Sequence, residues 1–233
     1  MKKNIPTYYY IILLCVLASV AVIYCFTGLW PWKDNAYNSY SIQAAAWLDG
    51  HLDIGENREW LELAIYNGKY YVSFPPFPSY LLLPFATVYG EKTPDHLIAL
   101  VITLVGVFYA VRLYEKTQKD TRSIILYSLF VYIASGILFI GINGYVWFLA
   151  QNLCITLSFM SIYYAISKKG GWSLTLWACA VGCRPMTIVY LPLLAVIIYK
   201  SSFQSIKEIK NKWYWCIGPV LLACSYMILN YKR

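Results

Sequence analysis

The stretch WPWKDNAYNSYSIQAAAWLDGHLDIGENREWLELAIYNGKYYVSFPPFP, residues 30–78, decides how the rest of the chain is read. It is the only long polar segment in an otherwise apolar sequence. Six of the eleven acidic residues lie in it: Asp34, Asp49, Asp53, Glu56, Glu59 and Glu62. Its one hairpin signal is Asn67-Gly68, set between Leu63-Ala64-Ile65-Tyr66 and Tyr70-Tyr71-Val72. Asn-Gly suits a two-residue turn because both positions accept positive φ. Residues 35–48 read as a short amphipathic helix. Tyr37, Tyr40, Ile42, Ala44 and Trp47 fall roughly on one side, and Gly50 is placed to stop it. Glu56, Glu59 and Glu62 recur at helical spacing and read as the wet face of a further helix. The stretch reads as the chemical face of a protein whose other segments are bilayer scaffold.

Composition supports that division. Hydrophobic residues make up 60% and charged residues 13%, where a soluble domain carries about 25% charge. The net charge of +8 comes from small basic groups between apolar runs, the pattern of the positive-inside rule. There is no basic patch and no nucleic-acid motif, so a nucleic-acid partner is not expected. The seven cysteines all lie in apolar runs and form no CxxC, so they read as small apolar residues. His51 and His96 have no second ligand at helical spacing, which argues against zinc.

Residues 8–26 form an apolar run long enough for one span. Lys2 and Lys3 before it place the N-terminus in the cytoplasm and residues 30–78 outside. Residues 79–90 are apolar but too short to cross. Residues 95–114 return inward to a cytoplasmic loop marked by Arg112, Lys116, Lys119 and Arg122. Residues 123–142 go out, Asn143-Gly144 turns, and residues 145–166 come back in.

Residues 171–199 are too long for one helix and would leave Arg184 mid-bilayer, at a cost of at least ~2.5 kcal/mol. Two short helices with an outer turn at Cys183-Arg184-Pro185 are the preferred reading, since Pro185 cannot donate to a continuing helix. Residues 201–212 are then a cytoplasmic linker and residues 213–230 a last span. Twelve of nineteen basic residues fall inside on this topology, and eight of eleven acidic ones outside.

The expected fold is an all-α polytopic protein of the cell membrane, with about seven transmembrane helices. It is a single membrane domain over residues 1–233. The large first outer loop, residues 29–94, contains a short amphipathic helix and a β-hairpin.

Asp34 follows the first span by a few residues, after Trp-Pro-Trp-Lys. A carboxylate held at the membrane surface can serve as a general base. From position alone the favoured reading is the N-cap of a helix starting at Asn35. Asp49 and Asp53 read as turn or solvating residues.

The order of these features resembles the integral-membrane GT-C glycosyltransferases, in particular the group containing protein O-mannosyltransferases and the aminoarabinose transferase of lipid A. Those proteins carry an acidic residue just after the first span and then a helix. An Asn-Gly-x-x-Tyr hairpin follows, then a double proline leading into an apolar helix. The matching pieces here are Asp34-Asn35, the helix to Gly50, Asn67-Gly68-Lys69-Tyr70-Tyr71, and Pro75-Pro76 before Tyr80-Leu81-Leu82. Gly182-Cys183-Arg184-Pro185 and Trp147-Phe148-Leu149-Ala150-Gln151 resemble later elements of the same family.

The resemblance implies an enzyme that transfers sugar at the outer face from a polyprenyl-phosphate-linked donor to a glycan, lipid or protein acceptor. Asp34 would be the base that activates the acceptor. Arg184 and Lys69 would hold the donor phosphate, and Tyr70, Tyr71, Trp147 and Gln151 would line the substrate pocket. No cofactor is implied, and a divalent metal would find no visible ligand set, because no Asp-x-Asp occurs in the first loop. Phe74 stands where aminoarabinose-transferase relatives carry a lysine before the double proline. The later spans and outer domain of longer relatives are absent, so the resemblance is to a short or partial member. The competing readings are a lipid-linked sugar transporter or flippase, and a truncated, inactive lipid-binding relative.

The topology has a direct test. In a background lacking the native cysteines, a cysteine at Glu56 should react with an impermeant thiol reagent added outside intact cells, and one at Lys119 should not. The opposite pattern would invert the chain and remove the reason for placing chemistry in the first loop.

Overall fold

The computed structural model describes residues 5–118, 120–203 and 206–232. Lys2, Lys3, Lys119 and Arg233, four of the charges that orient the chain, lie outside the described residues, as does the side chain of Lys207. The chain is mainly helical. Among the described residues, five helical stretches are long and apolar enough to cross a membrane: Thr7–Thr27, Asp95–Thr117, Val146–Ile166, Pro185–Ser202 and Lys210–Lys232.

Helix α1 (Thr7–Thr27) buries one stripe, Ile12, Val16, Val20 and Tyr24, at the i, i+4 spacing of a single helix face. Its other faces leave Leu14 and Phe26 exposed, as suits a helix that meets lipid on most sides. Gly28 ends it in the left-handed conformation, and its N–H donates to the Tyr24 carbonyl at 2.9 Å. Helix α4 (Asp95–Thr117) packs against α7 (Val146–Ile166) along small and polar residues. Gly106 is required there, because a Cβ would come within 2.5 Å of Thr156 Oγ1. Close backbone approach at small residues is how helices associate where lipid is as apolar as leucine.

The segment between α4 and α7 is interrupted. Helix α5 (Thr121–Leu129), capped by Asp120 accepting from the Ser123 N–H at 2.6 Å, runs into a π turn at Phe130–Ala134. Gly136, at φ +75°, then starts the five-residue α6 (Ile137–Gly141). The orphaned carbonyl of Gly141 is satisfied from neighbouring helices: Thr103 Oγ1 donates to it at 2.6 Å and Asn152 Nδ2 at 3.1 Å.

Helix α8 (Gly170–Val181) has only 12 residues. The chain breaks at Gly182-Cys183-Arg184, turns through a 3-10 segment at Pro185–Tyr190, and continues as α9 (Leu191–Ser202). Trp177 Nε1 donates back to the Thr187 carbonyl at 3.2 Å, so the second arm folds against the first. A second 3-10 stretch, Ile206–Cys216, leads into α10 (Ile217–Lys232).

The loop between α1 and α4 is ordered. Helix α2 (Ser39–Leu48) begins four residues later than expected, with Asn38 in the capping position. Asp34 is therefore not its N-cap. Strands β1 (Leu63–Tyr66) and β2 (Lys69–Val72) pair antiparallel, Leu63 opposite Val72, with Asn67 and Gly68 at φ +49° and +73°. Glu56, Glu59 and Glu62 do not lie on a helix. Glu56 pairs with Arg58 at 3.1 Å, and the same guanidinium reaches Glu91 at 2.9 Å. Helix α3 (Phe77–Tyr89) starts at the double proline and packs against α2. At 13 residues it spans about 20 Å, short of a bilayer core of about 30 Å.

Candidate functional site

The site is built where the first loop meets the starts of α4 and α7. Asp95, the first residue of α4, is buried, with 1% of its surface exposed. Its Oδ2 accepts from Asn35 Nδ2 at 2.9 Å, and its Oδ1 accepts from the Ser41 hydroxyl. Asn35 Nδ2 also donates to the Gly144 carbonyl at 2.8 Å. The Gly144 N–H donates to His96 Nδ1 at 3.0 Å, and the Val146 N–H donates to the Tyr37 carbonyl at 3.0 Å. A Cβ at Gly144 would come within 2.5 Å of backbone atoms of Asp95 and His96. Loop, α4 and the 143–146 turn are thus one hydrogen-bonded unit. His96 is fully buried, and no partner is present for its Nε2 among the described residues.

Asp34 sits one residue before this unit. Its carboxylate is exposed and makes no hydrogen bond or ion pair among the described residues. Tyr37, three residues on, lies 5.3 Å ring to ring from Trp147 near the start of α7. The Trp147 carbonyl in turn accepts from Arg184 Nη2 at 2.6 Å. Trp147 thus touches both the loop, through Tyr37, and the 182–184 break, through Arg184.

Arg184 and Gln151 stand at one end of a groove of about 640 Å³ between α7 and the Pro185–Tyr190 segment. Ile155, Phe159, Ile162 and Val189 line its length. From Gln151 to Ile162 the groove follows α7 for about 16 Å. Arg184 Nε is buried without a partner among the described residues, so the guanidinium keeps a donor unspent beside the groove.

The other expected site residues lie elsewhere. Lys69 Nζ is tied to Asp53 Oδ2 at 3.1 Å on the hairpin. That hydrogen bond holds the Asp53 carboxyl below its usual range and raises the Lys69 ammonium. Tyr71 is buried at 8% exposure, and Tyr70 packs on the cluster of Ile42, Ile54, Leu61 and Val72. Of the four expected pocket residues Gln151 lines the Arg184 groove, whereas Tyr70, Tyr71 and Trp147 are not among its lining residues. Among the described residues no group of three or more His, Cys, Asp or Glu side chains could hold a metal ion.

The keystone Asp95–Asn35–Ser41 network was not singled out from sequence. Its donors lie 60 and 54 residues away, and Asp95 reads locally as the polar start of a span. No protein-family model, curated protein or solved structure matches the chain.

Gly144→Ala should cost about 1–3 kcal/mol, because the added methyl meets the Asp95–His96 backbone, which cannot yield cheaply. Thermal unfolding in detergent, with hydrogen exchange of residues 35–41, measures this. Unchanged stability and unchanged loop protection would mean the turn is not packed as described.

Proposed function

We propose that this chain is a membrane glycosyltransferase of the GT-C type, or the catalytic part of one. It would move a sugar from a polyprenyl-phosphate donor to an acceptor at the face formed by the first loop. The observation that carries this reading is the Arg184 groove. A guanidinium with an unspent donor stands at the end of an apolar lane that follows a membrane-spanning helix. A phosphate bearing a long isoprenoid chain has the same two parts in the same order. Arg grips phosphate with parallel hydrogen bonds and stays charged at any relevant pH.

Asp34 takes the role of general base. Tyr37 and Trp147 link its loop to Arg184, so base and phosphate anchor share one end of the bundle. Its carboxylate is exposed and uncommitted, as a group that must meet an acceptor hydroxyl requires. In the reaction the acceptor oxygen attacks the anomeric carbon while Asp34 takes its proton. The bond from that carbon to the phosphate oxygen breaks, and the polyprenyl phosphate leaves with the electron pair, held by Arg184. On this reading the chain crosses the bilayer seven times, with α5–α6 and α8 as short or interrupted crossings and the first loop outside.

A second reading, a transporter of lipid-linked sugar, draws on the two interrupted segments at 130–136 and 182–190. Broken helices near a site are characteristic of such proteins. Sugar transfer by purified protein in detergent, where no compartments exist, would exclude transport as the whole function.

Asp34→Asn keeps the size of the side chain and removes its basicity. Release of labelled sugar from polyprenyl phosphate onto acceptor should fall at least ~10²-fold, the usual contribution of a general base, with membrane abundance unchanged. Near-normal turnover by a well-expressed variant would remove Asp34 from the mechanism.

Arg184→Lys should weaken donor use by losing the two-pronged grip, and Arg184→Gln should weaken it further. The readout is the dependence of rate on donor concentration, with stability measured beside it. If both variants fold and work normally, Arg184 is an anchor to lipid headgroups and the groove has another occupant.

A further inference from the structure

At the end of the bundle away from the first loop lies a second pocket, of about 660 Å³, lined by Lys168, Lys169, Lys212, Trp172, Tyr214 and Trp215. The end is assigned by contacts. Tyr163 and Tyr164, near the end of α7, meet Arg112 and Tyr109 in the last turns of α4. We propose that this pocket binds the phosphate headgroup of an anionic phospholipid of the surrounding bilayer.

Three observations support it. The first is charge: three ammonium groups line one pocket, and none of them has a carboxylate partner among the described residues. Two are held in place by rings. Lys212 Nζ lies 5.7 Å from the centroids of both Tyr214 and Trp215 and donates to the Tyr214 hydroxyl at 3.2 Å. Lys169 Nζ lies 5.7 Å over Tyr164. The second is construction. Trp215 lies against Gly170 and Gly171, where a Cβ on Gly170 would come within 2.1 Å of its ring. Lys168 holds φ +62°, in the left-handed region that non-glycine residues adopt uncommonly. The third is the surroundings. Trp172 and Trp213 are largely exposed, and below them on α10 Val220 and Leu221 are exposed as well. Tryptophans at headgroup depth above an apolar flank mark the bilayer interface. A headgroup in the pocket would have its acyl chains along that flank, which a free phosphate cannot use.

The test is native mass spectrometry of the full chain in detergent, titrated with phosphatidylglycerol and, separately, phosphatidylcholine. The probe variant is K168Q/K169Q/K212Q. The control is K116Q/K200Q/K210Q, which removes the same charge outside the pocket. The wild-type chain should prefer phosphatidylglycerol. The probe variant should lose about 100-fold of that affinity, at about fivefold per lysine, and the control should stay close to wild type. Inorganic phosphate at equal concentration should not displace the lipid. Equal losses in probe and control would reduce the effect to diffuse attraction and overturn the proposal. Full affinity in the probe variant, or displacement by inorganic phosphate, would overturn it as well. Sugar transfer is not read in this experiment, so its outcome is independent of the Arg184 groove.

Discussion

A carboxylate buried at the start of a membrane helix must be answered, and the answer given to Asp95 organises this molecule. Left without donors it would cost on the order of 1–3 kcal/mol or more. Asn35 and Ser41 supply those donors from the first loop. The free N–H groups at the head of α4 add the positive end of a helix dipole, worth up to about 2 kcal/mol where partly buried. Satisfying one side chain therefore draws 60 residues of loop back onto the helix bundle. Asn35 bonds the Gly144 carbonyl with the same amide, so the α6–α7 turn is drawn into the same arrangement. Gly144 is glycine because the Asp95–His96 peptide at the head of α4 lies where its side chain would be.

This constraint explains which parts of the structure could be read from sequence. Helices α1, α4 and α7 follow from apolar runs long enough to span, because bilayer thickness acts on each segment separately. The break at Cys183-Arg184-Pro185 was legible for the same local reasons: a proline, and a charge too costly to leave mid-span. The start of α2 was not. Asn35 looks like a helix opener, but its side chain is committed to Asp95 and Gly144, and the helix waits until Ser39. The spacing of Glu56, Glu59 and Glu62 looked helical. Arg58 instead gathers Glu56 and Glu91 into a loop cluster that spacing cannot foresee. The interruption at 130–136 was also hidden, and the short α6 that follows it ends on a Gly141 carbonyl satisfied by Thr103 and Asn152 on other helices.

Of the proposed site residues, the ones brought together were those near breaks in regular structure. Trp147 is the second residue of α7, and Arg184 is in the gap between two helical arms. Backbone carbonyls and side chains are free to reach across elements at such places, and there Arg184 finds the Trp147 carbonyl. Lys69, Tyr70 and Tyr71 sit in the second strand of the hairpin, where their side chains are already committed. Tyr71 turns inward, Lys69 turns to Asp53, and neither reaches the groove. Regular structure uses its side chains for its own stability, and irregular structure leaves some over for a ligand.

Two carboxylates near the head of the bundle make the same point from opposite directions. Asp95 is buried and accepts from two side chains of the loop. Asp34 is exposed and has no partner among the described residues. The backbone that carries it is nonetheless fixed, because its neighbour Asn35 is the residue that Asp95 holds. A general base needs this combination, a positioned main chain and an uncommitted side chain, because the proton it takes comes from an acceptor that arrives later. In the proposed mechanism, the buried acid is what would allow the exposed one to be both placed and available.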